Sequence, residues 1–184
     1  MTNGELFFDR KFDLQAGERK LCLRSARAAM ARLRRSRCLD WIFAPIRRYD
    51  LMWCLSSYAL FLREVAAGRK IRYRKLTEIA VAGASVMGDG EILKLLERNG
   101  VDIAGVRWSR GALAPSALAC AIANHDDETA KWLWLHGDHA EWQGCSPLRL
   151  SLLNWNDDLA RWFKSQGVKN TDSTGREYPI PPWV

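Results

Sequence analysis

The sequence predicts an all-α protein, a helical-hairpin solenoid of about three repeats behind an N-terminal helical cap. Apolar residues recur at helical spacing, and no stretch alternates at period two for long enough to make a sheet. Three segments of the second half repeat one register of acid, base, apolar pair and glycine. The 184 residues are 48% hydrophobic and 27% charged, enough to bury a core and too apolar for wholesale disorder.

Residues 1–18 form a mixed leader in which Phe7, Phe8, Phe12 and Leu14 are candidate anchors onto the body. Lys20 to Arg37 contain neither Pro nor Gly, and Leu23, Ala26, Met30 and Leu33 recur at helical spacing, so an amphipathic basic helix is expected there. Pro45 breaks the next apolar cluster and marks a connection. Asp50 is then a suitable N-cap for a helix to about Ala67, with Gly68 as its stop. That helix is apolar on nearly every side and is expected at the centre of the packing.

The repeated register lies downstream. Glu91, Glu128 and Asp158 are each followed three residues on by a base (Lys94, Lys131, Arg161), then two apolar residues, then a glycine nine residues after the acid (Gly100, Gly137, Gly167). An acid in the first turn favours the positive end of the helix dipole and pairs with the base at i+3. The glycine adopts the left-handed conformation that ends the helix. Each segment follows a shorter small-and-apolar stretch: Ile79–Ser85, Ser116–Ile122 and Ser146–Leu152. In the last, Ser146 is a good N-cap and Pro147 occupies the first helical position, where its missing N–H costs nothing. Helix pairs are therefore expected over residues 77–99, 116–136 and 146–166. One such hairpin cannot bury its apolar face alone, so neighbours must stack.

Residues 77–170 resemble ankyrin repeats. Ser146-Pro147-Leu148-Arg149-Leu150 matches the opening of that pattern, and Val101-Asp102 and Gly137-Asp138 echo its Gly-Ala-Asp ending. Ser146 to Gly167, Ser116 to Gly137 and Ile79 to Gly100 each span its twenty-two residues. The chain departs from the pattern in lacking the histidine of the opening, in carrying Trp155 where a glycine is usual, and in an insertion around Trp108 and Gly111. The resemblance covers 77–170; residues 1–76 do not fit it and are expected to form a basic helical cap or eroded repeats. Pro179, Pro181 and Pro182 forbid a helix in the tail over 171–184, which is expected to lie extended over the last helix pair with Trp183 covering it, an exposed recognition tail being the alternative.

Charge is divided unevenly. Residues 1–76 hold 18 Lys/Arg against 7 Asp/Glu, a net +11, and the remainder nets −4. Arg24, Arg27, Arg34, Arg35, Arg72 and Arg74 make up a basic patch suited to phosphates or to an acidic protein. No apolar run approaches the roughly twenty residues of a membrane span. The start carries acids and no apolar core of a secretory signal, and five cysteines without a CxxC suit reduced thiols. A cytoplasmic protein without membrane attachment is expected.

Catalytic chemistry finds no motif: no GxSxG, no phosphate-binding loop, no dinucleotide fingerprint. His136 and His139 flank Gly137 across a helix end, so no metal site is expected, and no cofactor is implied. Asp126-Asp127-Glu128 and Asp157-Asp158 open helices, where capping accounts for them. Trp132, Trp134 and Trp162 fall in second helices and are read mostly as core. Trp108, Trp142 and Trp155 fall in loops or turns, which in an ankyrin-like stack line the binding face. Since Trp and Arg dominate interface hot spots, Arg107, Trp108, Arg110, His139, Glu141, Trp142 and Trp155 are the candidate partner-binding residues. Two readings result. One is a non-catalytic protein-interaction module, an inhibitor, immunity-type or adaptor protein of bacterial or phage type, whose partner is another protein. The other is binding to nucleic acid, or competition with it, through residues 19–75.

Overall fold

The computed structural model describes residues 11–35, 48–71, 74–104, 116–139, 141–142, 144–172 and 174–184, with side chains at all of these except 34–35, 48–52 and 74–76. Eight α-helices and no strands occur among them: α1 Ala16–Arg35, α2 Arg48–Ala66, α3 Arg74–Met87, α4 Gly90–Arg98, α5 Ala117–Ala123, α6 Asp127–Leu135, α7 Pro147–Leu153 and α8 Asp157–Ser165. The chain makes two compact units, Met1–Asp102 and Ile103–Val184. The division falls after α4, so α3 and α4 are grouped with the basic helices and not with the later hairpins.

In the first unit α1 packs on α2, α2 on α3, and α3 on α4. The buried face of α1 is Cys22, Ser25, Ala26 and Ala29, while Leu23 is 40% exposed. The expected face was therefore rotated by about one residue. Small side chains allow two helix axes to approach closely, and that advantage outweighs burying one leucine. In α2, Cys54, Leu55, Tyr58, Phe61, Leu62 and Val65 are buried, but Trp53 and Leu60 are exposed. This helix thus has a core face and an open one, not burial all round. It starts two residues before Asp50, the expected cap, and stops as expected at Gly68, whose φ is +72°.

The α2–α3 contact depends on Gly83. A Cβ there would lie 2.4 Å from Cβ of Tyr58, so only glycine permits this approach. Tyr58 is fully buried and its hydroxyl donates to Oδ2 of Asp89 at 3.0 Å. Burial, then the Asp89 carboxylate, pushes the phenol well above its ordinary range. Arg32 donates to the Val86 carbonyl at 3.0 Å, satisfying an acceptor at the C-terminus of α3. Phe12 and Leu14 anchor the leader as expected, Phe12 meeting the Phe61 ring edge-on at 5.4 Å; Phe7 and Phe8 lie outside the described residues. In α4 the Glu91–Lys94 pair closes at 3.4 Å, and Ile92, Leu93, Leu95 and Leu96 are buried.

The second unit contains two hairpins, α5/α6 and α7/α8. Each helix opens on its own cap: Ser116 accepts from the Ala119 amide, Asp126 from Thr129, Ser146 from Arg149 and Asn156 from Leu159. Pro147 opens α7 at the position anticipated for it. Gly100, Gly137 and Gly167 end their helices at φ of +76°, +92° and +79°. The hairpins lie side by side in one orientation. α5 packs on α7, and Nδ2 of Asn156 at the start of α8 donates to Oδ1 of Asp127 at the start of α6, at 2.6 Å. Farther along, Trp134 meets Phe163 at 5.4 Å and the Lys131 ammonium lies 5.9 Å from the Trp162 ring.

Buried Asp138 accepts from the Leu118 amide at 2.9 Å, tying the end of the α5/α6 hairpin back to its beginning. Trp132, Trp134 and Trp162 are half-buried and not core; Ala130, Leu133, Leu159, Ala160 and Phe163 fill those places. The tail runs back over the last hairpin through Asn170 Nδ2 to the Pro179 carbonyl at 3.0 Å and Arg161 Nε to the Trp183 carbonyl at 3.3 Å. Trp183 is 65% exposed and does not act as the expected lid; Tyr178 covers the hairpin instead, its ring 4.2 Å from the Arg149 guanidinium of α7.

Candidate protein interface

Three short turns join the helices of the hairpins, and their central residues are equivalent. Gly88 stands in the first with φ +64°, His125 in the second with φ +54°, and Trp155 in the third with φ +56°. Glycine adopts this region at no steric cost, whereas a residue with a Cβ gives up about 1–2 kcal/mol there. Trp155 recovers nothing for the fold, because it is 91% exposed. A bulky indole held in solvent on strained backbone is the least economical feature of the described residues.

Trp155 and His125 line an open groove of about 420 Å³ together with Asp127, Asn156, Asp157, Asp158 and Arg161. The groove lies along the starts of α6 and α8. Three carboxylates face one guanidinium, with Arg161 paired to Asp158 at 2.7 Å and Asp127 held by Asn156.

The candidate residues do not form one surface. Trp155 is at the α7/α8 turn, whereas His139, Glu141 and Trp142 are in the connection from α6 to α7, at the other end of the hairpins. A helix of seven to nine residues, rising about 1.5 Å per residue, separates the two ends. The connection carries a small finger in which Trp142 and Cys145 exchange backbone hydrogen bonds at 3.2 and 2.9 Å around Gly144, φ +69°. Trp142 is half-buried there. His139 is exposed but stacks 4.2 Å from the Trp134 ring, with Nε2 3.1 Å from that residue's carbonyl oxygen. Arg107, Trp108 and Arg110 lie outside the described residues.

In the basic patch, Arg24 and Arg27 are exposed on α1, three residues apart on one face with Lys20. Arg34 and Arg35 are in the last turn of α1 and Arg74 opens α3, their side chains outside the described set; Arg72 lies outside it altogether. No group of three His, Cys, Asp or Glu positioned to hold a metal occurs among the described residues, and no described helix is long and apolar enough to cross a membrane.

Trp155 stands out in the sequence, but there Asp127, Asp157 and Asp158 read as helix-opening acids and Arg161 as the base of the register, and nothing sets His125 and Asn156 beside them. The available signal was alignment of the three turns, which sets His125 and Trp155 against Gly88. No protein-family model, curated protein or solved structure matches the chain.

Proposed function

We propose that this protein is a non-catalytic protein-interaction module, an ankyrin-like array of helical hairpins that inhibits or recruits a partner protein by occupying its surface. The observation that carries the reading is Trp155, 91% exposed at φ +56° in a turn where glycine serves the fold better. Binding supplies the compensation that folding does not, since buried tryptophans are among the strongest interface anchors. The shared register of the hairpins and their caps supports the ankyrin-like assignment. Capture from the native cell at high salt, with nuclease, using wild-type and Trp155→Ala chains, tests it. A stoichiometric protein retained by wild type and lost by the variant is expected; equal capture by both removes Trp155 from the interface.

A second reading, nucleic-acid binding by the basic region, is favoured by Lys20, Arg24 and Arg27 exposed along one face of α1. It requires affinity that falls steeply with salt and with Arg24→Glu/Arg27→Glu, independently of Trp155.

A further inference from the structure

We propose that the groove beside Trp155 is a docking site for a basic segment of the partner, seating one arginine side chain between the indole and the carboxylates of Asp127, Asp157 and Asp158. This rests on the interaction reading above and adds the chemistry of the occupant.

The carboxylates alone would carry no such inference, because each lies in the first turn of a helix where the dipole accounts for it. The indole is the independent feature. It lines the same groove, is 91% exposed, and serves no capping or core role. Charge then selects among occupants. The lining holds three carboxylates and one guanidinium, a net −2 among these four groups. The two helix N-termini return about half a positive charge each, so the groove stays negative. An acidic segment is repelled, and a neutral apolar one strips water from carboxylates without replacing their hydrogen bonds. A cation satisfies both halves of the surface. Tryptophan is the strongest aromatic partner for a cation, and guanidinium combines stacking on a ring with paired hydrogen bonds to a carboxylate. Asp157 is best placed to receive it, since Asp158 is already paired with Arg161 and Asp127 with Asn156.

The test is a titration of the 15N-labelled full chain, following the indole N–H resonances, with that of Trp155 assigned from Trp155→Phe. The probes are an acetylated, amidated Gly-Ser-Arg-Ser-Gly peptide and its citrulline counterpart, which keeps the shape and removes the charge. Saturable movement of the Trp155 resonance by the arginine peptide is expected, with the citrulline peptide about fivefold weaker or more. Asp157→Asn should weaken the arginine peptide by a similar factor while the other eight indole resonances keep their positions. Equal binding of the two peptides, or no saturable movement, overturns the proposal. Movement on raising protein concentration without peptide overturns it too, making a second copy of the chain the occupant. If the captured partner depends on Trp155 but the arginine peptide does not bind, only this inference fails; if arginine binds and no partner depends on Trp155, the interaction reading fails.

Discussion

Replacing Trp155 by glycine should stabilise the second unit, although it deletes the largest side chain of the hairpin turns. The ring is 91% exposed, so its removal forfeits little burial. At φ +56° a residue with a Cβ carries about 1–2 kcal/mol of strain that glycine escapes. Against this, glycine loses about 0.5–1 kcal/mol more backbone entropy on folding. The net expectation is a gain of about 0.5–1 kcal/mol, a rise of roughly 2–8 °C in the melting of that unit. Trp155→Ala is the control, because it removes the indole and keeps the strain. Urea denaturation of the three proteins therefore isolates the backbone contribution as the difference between glycine and alanine. His125→Gly, at φ +54°, should move in the same direction. If glycine proves no more stable than alanine at position 155, the turn is not strained and Trp155 costs the fold nothing.

Other perturbations probe the same architecture. Gly83→Ala should lower stability by roughly 1–3 kcal/mol in spite of alanine's better helix propensity, since its Cβ would stand 2.4 Å from Cβ and 2.5 Å from Cγ of Tyr58; unchanged melting would show that α2 and α3 are not this close. Gly137→Val and Gly167→Val should each cost about 1–2 kcal/mol, purely through the backbone, because a Cβ meets nothing within 4 Å at either site. Asn156→Ala, which removes both a helix cap and the bond to Asp127, should cost about 1–2 kcal/mol in thermal denaturation. Burial pushes the Cys22 thiol up to about 11 and the Cys54 thiol up to about 12. At pH 8 both remain protonated, so a thiol-disulfide reagent should label them only after denaturation, and rapid labelling of the native protein would place them at the surface.

The parts of the fold set by local chemistry were legible in the sequence. Ser116, Ser146, Pro147 and the three glycines mark helix ends because capping and positive φ are short-range requirements. The acid–base spacing formed as ion pairs at Glu91–Lys94 and Asp158–Arg161 for the same reason. What depends on long-range packing was not legible. On α1, apolarity favoured Leu23, whereas the contact with α2 kept Ala26 and added the small residues Cys22, Ser25 and Ala29. The open face of α2 and the half-buried tryptophans of α6 and α8 follow from which neighbours exist, and a residue's own type does not reveal that. Trp142 and Trp155 look alike in sequence, as tryptophans between helices. A hairpin carries them to opposite ends, Trp155 to an open groove and Trp142 to a half-buried place in the finger.

On the proposed function, Trp155 serves binding and not folding. The most direct measurement is isothermal titration of the captured partner against wild-type, Trp155→Gly and Arg24→Glu/Arg27→Glu chains at two salt concentrations. Trp155→Gly should lose about thirtyfold or more in affinity while matching or exceeding wild type in stability. The arginine variant should bind within a few-fold of wild type. Full affinity in Trp155→Gly, with binding lost in the arginine variant and at high salt, would exclude Trp155 from the interface and place the working surface on α1.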